Sequence, residues 1–552
     1  MAENGSFTPL QRLNRLLQLD KRDITQVYVY ALFNGLVNLS LPLGIQAIVN
    51  LIQGGEVSTA WMVMVGFVIG GIAVTGFLQL LQLRIVENIA QRTFTRASFE
   101  MAIRIPRIQY AELYKYYAPE LANRFFDTLT IQKGLPKILI DFSLAAFQVI
   151  VGLIVLSLYH PFFILFGVLL IALVYTILAF TGPMGLRTSL QESKHKYGVA
   201  YWLEEVARTK LTFKLSTEPL VSLQKMDNKV QGYLNARESH FKVLIRQFLH
   251  LIGFKVLVAA GLLIIGGLLV FRQEMNIGQF VAAEIIIILI INSVEKLIRS
   301  LDSIYDVLTA LEKIGQVTDM RLDNEKGISF PETTRFIEVG AKDLSFTYPE
   351  SPPVLENLSF QVTAGSSLCI TGDSGTGKST LIQLLSGILE PQQGVVSFND
   401  LSLRSLKADS LRQHIGFVLS GSQIFQGTLE DNISLGRPGI STADILRSID
   451  LVNLNDFLLK DPFGLKMNLD PEGKRIPGSV ANKIILARAI VHQPKLLILE
   501  DPLEQIPANE KEIIIKRITS EKNPWRIIVA TVDPLWKKYI KSELRLYKRE
   551  QT

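Results

Sequence analysis

The fold of this chain is decided by the stretch Gly372-Asp373-Ser374-Gly375-Thr376-Gly377-Lys378-Ser379-Thr380. It matches the phosphate-loop pattern G-x-x-x-x-G-K-[ST] at every fixed position. The strand-like apolar run Leu368–Thr371 precedes it, and the helical pattern of Leu381–Leu385 follows it. Strand, glycine-rich loop and helix in this order are the context that the pattern requires. The sequence therefore predicts a binding site for a nucleoside triphosphate, and an unrelated glycine-rich turn is the less favoured interpretation.

The residues of this loop have distinct expected roles. Glycines let the backbone turn its N–H groups onto phosphate oxygens, and the start of the following helix adds a favourable dipole. Lys378 is expected to reach the β- and γ-phosphates, and the Ser379 hydroxyl is expected to ligate Mg²⁺. All nine residues from Gly372 to Thr380 are therefore predicted to bind the nucleotide.

The bulk composition indicates a membrane protein of more than one domain. The chain has 552 residues, of which 48% are hydrophobic, and its mean hydropathy is +0.28. Such apolar character is high for a soluble enzyme, and the length exceeds that of one typical domain. The net charge of +6 is small for this length, and no basic stripe alternates with aromatic residues. Nucleic acid is therefore not an expected partner. The only cysteine, Cys369, is expected to be buried packing.

The first half of the chain contains six apolar segments, most of them close to the ~20 residues with which a helix crosses a bilayer. Two long connections, Arg84–Lys137 and Pro183–Arg246, are rich in Lys and Arg and show helical spacing of apolar residues. The positive-inside rule places these connections and both termini in the cytoplasm. The segments are Val27–Ile52, Ala60–Leu83, Ile138–Tyr159, Phe162–Gly182, Phe248–Phe271 and Gly278–Ile291.

Three ionisable residues fall within or near these segments. Asp141 and Lys255 lie close to predicted cytoplasmic ends, where a side chain can reach polar surroundings. Glu284 lies deeper, about two helical turns from the outer end of the last segment. Because charge inside a membrane is costly and often functional, Glu284 either lines a substrate path or is neutralised between helices.

Composition divides the chain into four parts. Residues 1–23 form a polar segment expected in the cytoplasm, and residues 24–321 form the membrane domain. Residues 322–334 are interpreted as a linker, and residues 335–552 as the domain that contains the phosphate loop.

The motifs of the second half resemble those of ABC transporters of the exporter type, and with the six segments the resemblance covers nearly the whole chain. It implies a multidomain fold: an all-α transmembrane exporter domain of six helices, followed by an α/β P-loop NTPase domain, the ABC cassette. ATP and Mg²⁺ are the implied cofactors. The motifs are Leu344–Tyr348, Gly387 with Pro391 and Gly394, Ile415–Val418, Gly427–Leu429 with Asn432 and Ile433, Ile484–Ala489 and Pro494–Leu499.

The same resemblance implies partners and a location. Details of the chain are similar to ATP-driven secretion exporters, which pair with a periplasmic adaptor protein. Cassettes of this family dimerise, so the implied assembly is a homodimer or a heterodimer with another ABC half-transporter. The implied location is the bacterial inner membrane, with the cassette in the cytoplasm. In the family an aromatic residue stacks on adenine, and Tyr348 occupies the matching position; a tyrosine packed in the core is the alternative.

Several positions depart from the family pattern. Ser420 stands where the family has a glutamine that meets Mg²⁺ and the attacking water. The stretch Ile476-Pro477-Gly478-Ser479-Val480 replaces the family signature Leu-Ser-Gly-Gly-Gln. Thr531 replaces a histidine that contacts the γ-phosphate. We therefore expect nucleotide binding to be retained and hydrolysis to be weak.

The predicted catalytic residues are Lys378, Glu500 and Asp501. The family has Asp-Glu after the apolar run that ends at Leu499, whereas this chain has Glu500-Asp501. Glu500 can still support Mg²⁺ through an oxygen ligand or a bound water. Asp501 falls at the position of the general base but is one methylene shorter, and a misplacement of about 1 Å can cost roughly a hundredfold in rate.

Two functions are consistent with these residues. The first is an exporter subunit that binds ATP and switches its spans between inward- and outward-facing states, with slow hydrolysis. The second is a pseudo-transporter, an ATP-binding membrane scaffold that regulates a partner. An importer is less favoured, because importers of this superfamily usually carry spans and cassette on separate chains.

Overall fold

The computed structural model describes residues 7–53, 59–113, 116, 118–216, 220–324, 326–332 and 335–548. Parts of several expected segments therefore lie outside the described residues: residues 1–6 of the N-terminal segment, 54–58 of the first outer connection, 114, 115, 117 and 217–219 of the two long connections, 325, 333 and 334 of the linker, and 549–552 of the last domain. The chain forms two compact units. The first runs to Met320 and the second from Arg321, and the short stretch Ile108–Glu112 belongs to the second unit.

The first unit is helical throughout its regular structure. Six stretches of its described residues are long and apolar enough to cross a membrane, which confirms the six predicted spans. Its helices are α1 (Pro9–Leu19), α2 (Lys21–Val37), α3 (Ser40–Gln53), α4 (Thr59–Arg104), α5 (Tyr110–Leu113, grouped with the second unit), α6 (Ala118–Asn123), α7 (Asp127–Pro136), α8 (Ser143–Ser157), α9 (Phe162–Arg208), α10 (Lys210–Lys214), α11 (Leu220–Gly261), α12 (Gly267–Phe271) and α13 (Ile277–Thr318).

The long helices extend well beyond the thickness of a bilayer, as their polar connections predicted. Helix α9 has 47 residues and would be about 70 Å long, more than twice the ~30 Å hydrocarbon core. It continues through Pro183, which removes one backbone hydrogen bond from its middle. A helix satisfies its backbone polar groups internally, so it can cross hydrocarbon and continue into water without interruption.

Two apolar clusters hold the membrane unit together. In one of them Leu251, Phe254 and Val258 of α11 pack with Ile286 and Ile290 of α13, and each of these side chains is at most 1% exposed. The other joins α2, α4, α7 and α13 through side chains such as Val27, Val86 and Leu135. These clusters fix α13 against its neighbours along one side.

The second unit contains a five-stranded parallel sheet in the order β11-β3-β10-β9-β6 and an antiparallel sheet in the order β2-β1-β4-β5. The predicted fold class is confirmed by these sheets and the six membrane helices. The strands are β1 (Val339–Thr347), β2 (Pro353–Val362), β3 (Leu368–Thr371), β4 (Gln393–Phe398), β5 (Leu401–Ser402), β6 (Ile415–Val418), β7 (Gly427–Thr428), β8 (Asn468–Leu469), β9 (Leu496–Glu500), β10 (Arg526–Ala530) and β11 (Ser542–Arg545).

Besides α5, eight helices accompany these strands in the described part of the second unit. They are α14 (Lys378–Leu385), α15 (Ala408–Arg412), α16 (Leu429–Ser434), α17 (Thr442–Leu451), α18 (Asn455–Lys460), α19 (Gly478–Ile490), α20 (Ala508–Ile518) and α21 (Leu535–Tyr539).

One strand begins later than its sequence suggests. The alternating apolar residues of Phe336–Val339 predict a strand, but β1 begins only at Val339. The Phe336 ring instead lies under the Arg526 guanidinium, 4.4 Å from it. This cation–π contact joins residues far apart in sequence, which a local β pattern cannot indicate.

Candidate nucleotide-binding site

The parallel sheet brings the predicted site residues to one edge. The carboxyl end of β3 leads into the phosphate loop, and that of β9 ends in Glu500. Thr531 follows β10 directly, and Leu419-Ser420 follows β6. Because parallel strands end on the same side, segments that are distant in sequence meet at the edge where α/β sheets bind their ligands.

The phosphate loop has the backbone conformation that its glycines allow. Gly372 and Gly377 have φ angles of 150° and 90°, which side chains of L-residues rarely adopt. A Cβ atom on Gly372 would also lie 2.5 Å from the backbone oxygen of Leu546. The Thr376 hydroxyl donates a hydrogen bond to the Asp373 carbonyl at 2.9 Å, which closes the loop from inside.

The Lys378 side chain folds back onto the phosphate loop. Its Nζ donates hydrogen bonds to the backbone oxygens of Gly372 at 2.7 Å and Asp373 at 2.8 Å. Lys378 is also the first residue of α14, next to the N-terminal N–H groups of that helix. The ammonium group and the free N–H groups therefore present positive charge on the same side, as an anion site requires.

Tyr348 is brought to the helix that leaves the loop. Its hydroxyl lies 3.2 Å from Oγ1 of Thr380 and 3.5 Å from Oε1 of Gln383. Its half-buried ring meets the Phe346 ring edge-on, with 4.9 Å between the centroids. The position beside the loop is compatible with contact to a base, and the stacking on adenine stays a prediction.

Glu500 contacts Ser420, which we interpret as standing at the family's glutamine position. Its Oε2 accepts a hydrogen bond from the backbone N–H of Ser420 at 2.8 Å. The Ser379 hydroxyl and the Glu500 carboxylate supply the hard oxygen atoms that Mg²⁺ prefers, so the residues present suit this ion together with nucleotide phosphates. Mg²⁺ would neutralise charge on those phosphates.

Asp501 and Thr531 flank the ends of β9 and β10. Asp501 has a φ of 36°, in the left-handed region, and its N–H donates to the Ala530 carbonyl at 3.0 Å. Thr531 is only 1% exposed, and its Oγ1 accepts the N–H of Asp533 at 3.1 Å. Thr531 is thus a buried residue whose hydroxyl is used in a hydrogen bond within the chain.

The stretch Ile476–Val480, which we interpret as the altered signature, lies at the start of α19. Pro477 precedes this helix and Gly478 is its first residue. A Cβ atom on Gly478 would lie 1.7 Å from Oε1 of Gln505, so this glycine allows the Gln505 side chain to approach the helix closely. The remaining glycine of the signature therefore has a packing role within the chain.

A clamp between α19 and α16 was not predicted from the sequence. Arg488 donates from Nε to the Asn432 carbonyl at 2.7 Å and from Nη2 to Asn432 Oδ1 at 3.1 Å. Asn432 is fully buried and donates in turn to the carbonyls of Phe425 and Thr428. Both Arg488 and Asn432 belong to motifs of the family pattern, but no local pattern pairs residues 56 positions apart.

Two family models match the chain. The model described as "ABC transporter transmembrane region" matches residues 26–294, and the model described as "ABC transporter" matches residues 355–504. The two matches lie in the first and the second unit respectively, and the second includes the phosphate loop and Glu500.

Several curated proteins are similar to the chain. One is the glutathione/L-cysteine transport system ATP-binding/permease protein CydC of Escherichia coli, 33% identical over 41% of this chain and 39% of that protein. Another is the transport/processing ATP-binding protein ComA of Streptococcus pneumoniae, 25% identical over 73% and 57%. A third is the cyclolysin secretion/processing protein CyaB of Bordetella pertussis, 26% identical over 61% and 47%. The chain spans about half the length of the curated relatives it matches.

Among solved structures, a bacterial Atm1-family ABC exporter with ATP bound superimposes with a TM-score of 0.78. The superposition covers 96% of this chain and 94% of that chain at 18% sequence identity. Similarity at this level of identity concerns the fold alone.

Proposed function

Since the chain belongs to the ABC transporters, we propose that it is an exporter subunit in which ATP binding switches the membrane helices between inward- and outward-facing states. It is a multi-pass membrane protein with a cytoplasmic cassette. ATP acts by binding one conformational state more tightly than the other, which is the only way in which a ligand can shift such an equilibrium.

The observation that supports this function best is the phosphate loop in a chain that also carries six membrane helices. Lys378 bridges the loop at 2.7 Å and 2.8 Å, and Gly372 and Gly377 adopt the left-handed backbone that the loop needs. The phosphate loop matches its pattern in full, although other positions near it depart from the family pattern. Nucleotide binding is therefore the step of the transport cycle for which this chain has all the expected residues.

Hydrolysis is proposed to be slow. Asp501 is the proposed general base, Lys378 contacts the β- and γ-phosphates, and Ser379 and Glu500 hold Mg²⁺. Tyr348 and residues 372–380 are proposed to bind ATP. Ser420 and the buried Thr531 stand where the family has its glutamine and histidine, so the contacts of those two side chains with the water and the γ-phosphate are proposed to be missing. The dimer is therefore proposed to return only slowly to its starting conformational state.

The proposed assembly is a dimer of two half-transporters, either two copies of this chain or this chain with another ABC subunit. A periplasmic adaptor is proposed because similar proteins such as CyaB are named for secretion. The bacterial inner membrane is the proposed location, in line with the bacterial origin of these relatives.

The experiment that tests this function is ATP turnover by the purified chain in lipid vesicles. Lys378→Ala should abolish turnover and weaken ATP binding by at least tenfold, because it removes the positive charge from the phosphates. Lys342→Ala, at an exposed position of β1 in the same unit, is the matched control and should behave as the unaltered chain. Equal turnover in Lys378→Ala and the unaltered chain would contradict catalysis at this site.

The alternative, an ATP-binding scaffold, gives a different result in the same vesicles. Tight ATP binding that depends on Lys378, no turnover even with a co-purified partner, and no nucleotide-dependent change in the membrane helices would support it. The altered signature and the buried Thr531 are the two observations that favour this alternative.

A further inference from the structure

One face of α13 is only partly covered by the other described helices. Along it lie residues spaced alternately by four and three positions, each half-buried or exposed: Ile277, Val281, Glu284, Ile288, Ile291 and Glu295. On the opposite side Ala282, Ala283, Ile286, Ile287 and Ile290 are at most 1% exposed. Spacing of this kind defines a single narrow stripe on a helix, and we call these six residues the α13 stripe.

The two carboxylates of the α13 stripe differ in their surroundings. Glu295 is neutralised, because Lys255 Nζ lies 2.5 Å from its Oε2 and Arg299 Nη2 lies 2.8 Å from its Oε1. Glu284 makes no hydrogen bond or ion pair with any residue that the structure describes. The described part of the chain thus provides counter-charges for Glu295 and provides none for Glu284.

Glu284 also lies inside the membrane span. It follows the start of α13 at Ile277 by seven residues, which corresponds to about 10 Å along the helix axis. Its short side chain cannot extend to the interface as a lysine or arginine does. An ionisable group at this depth is costly, and groups of this kind face a pathway or a partner charge. The neighbours of Glu284 on the stripe, Val281, Ile288 and Ile291, are all aliphatic.

We propose that Glu284 and the aliphatic residues of the α13 stripe bind the exported substrate, and that this substrate is a lipophilic organic cation. The carboxylate supplies the counter-charge for the cationic group, and Val281, Ile288 and Ile291 contact its apolar body. This inference rests on the proposed export function, since it places the α13 stripe on the path of the substrate.

The test is equilibrium binding of radiolabelled tetraphenylphosphonium to the full chain in phosphatidylcholine vesicles without ATP. Binding to the unaltered chain should be saturable, and Glu284→Gln, which keeps the shape but removes the charge, should weaken it at least tenfold. Glu284→Asp should restore most of it. The control is Glu274→Gln, because Glu274 lies in the loop before α13 and pairs with His160 at 3.2 Å. Neutral triphenylphosphine oxide should bind equally well to Glu284→Gln and to the unaltered chain.

Two results would overturn the proposal: no saturable binding of tetraphenylphosphonium to the unaltered chain, or equal binding in Glu284→Gln. ATP affinity measured on the same vesicles shows whether Glu284→Gln is folded, and it should equal that of the unaltered chain. Lys378→Ala separates the two proposals, because it should lose ATP affinity and keep the binding of the cation. A change in cation binding that follows Glu284 alone therefore reports on the stripe, and a loss of ATP binding reports on the cassette.

Discussion

At the scale of single residues, the exchange of Glu and Asp at positions 500 and 501 has a geometric consequence. The longer carboxylate reaches across to the Ser420 N–H at 2.8 Å, whereas the shorter one follows it on a backbone with φ of 36°. Aspartate tolerates this left-handed region better than most residues, so the backbone itself is not the obstacle. As the proposed general base, Asp501 is one carbon shorter than the family's glutamate, so we expect it to fall short of the attacking water.

Lengthening the base by one carbon is the corresponding test. We expect Asp501→Glu to raise ATP turnover in vesicles by about tenfold to a hundredfold, because a displacement on the order of 1 Å has roughly that effect on rate. Asp501→Asn should lower turnover further at unchanged ATP affinity. Identical turnover in Asp501→Glu and the unaltered chain would show that the base is not the limiting defect. Thr531→His is less informative, since Thr531 is 1% exposed and a larger ring would disturb its packing.

At the scale of elements, the loop between β3 and α14 depends on glycines for two different reasons. Gly375 has a φ of 83°, but the space where a Cβ atom would lie is open, whereas Gly372 has both a φ of 150° and a backbone oxygen 2.5 Å from that point. The first position is limited by backbone strain alone, and the second by strain and by collision with atoms that cannot rotate away. The two glycines form a matched pair.

Alanine at these two positions should therefore have unequal effects. Gly375→Ala should lower the free energy of unfolding by about 1–2 kcal/mol, because a residue with a side chain usually loses that much in the left-handed region. ATP binding should persist. Gly372→Ala should displace the loop, weaken ATP binding at least tenfold and lower the midpoint of thermal unfolding further than Gly375→Ala does. Both quantities can be measured on the purified chain, and equal behaviour of the two variants would contradict this loop geometry.

At the scale of the whole molecule, topology can be tested with the single native cysteine left in place. Cys369 is fully buried, and burial, followed by the nearby Glu543 carboxylate, raises the pKa of its thiol to about 11. At pH 7 it is protonated and inaccessible, so it should not react with a maleimide while the chain is folded.

New cysteines can then report the two sides of the membrane. In right-side-out vesicles, a membrane-impermeant maleimide should label Arg272→Cys, in the outer connection before α13. Lys214→Cys, in the cytoplasmic connection after α9, should be labelled only after permeabilisation. Both positions are exposed or half-buried. Labelling of Lys214→Cys from outside would invert the topology that the positive-inside rule predicts.

The sequence predicted those features that local patterns determine. Six apolar segments, their helical extensions and the phosphate loop each follow from a few neighbouring residues, and all lie where they were expected. Features that depend on distant residues could not be predicted. The contact of Glu500 with Ser420, the clamp of Arg488 on Asn432 and the position of Phe336 under Arg526 join residues 56 to 190 positions apart. The roles of the individual site residues stay predictions, because they concern a ligand.

The length of α9 gives the molecule a mechanical property. A rod of 47 residues measures about 70 Å, so a tilt of about 5° at its outer end displaces its far end by about 6 Å. A small tilt of the membrane-embedded part of α9 thus moves its far end by about the length of a side chain. Because the helix is stiff, this motion requires no flexible joint.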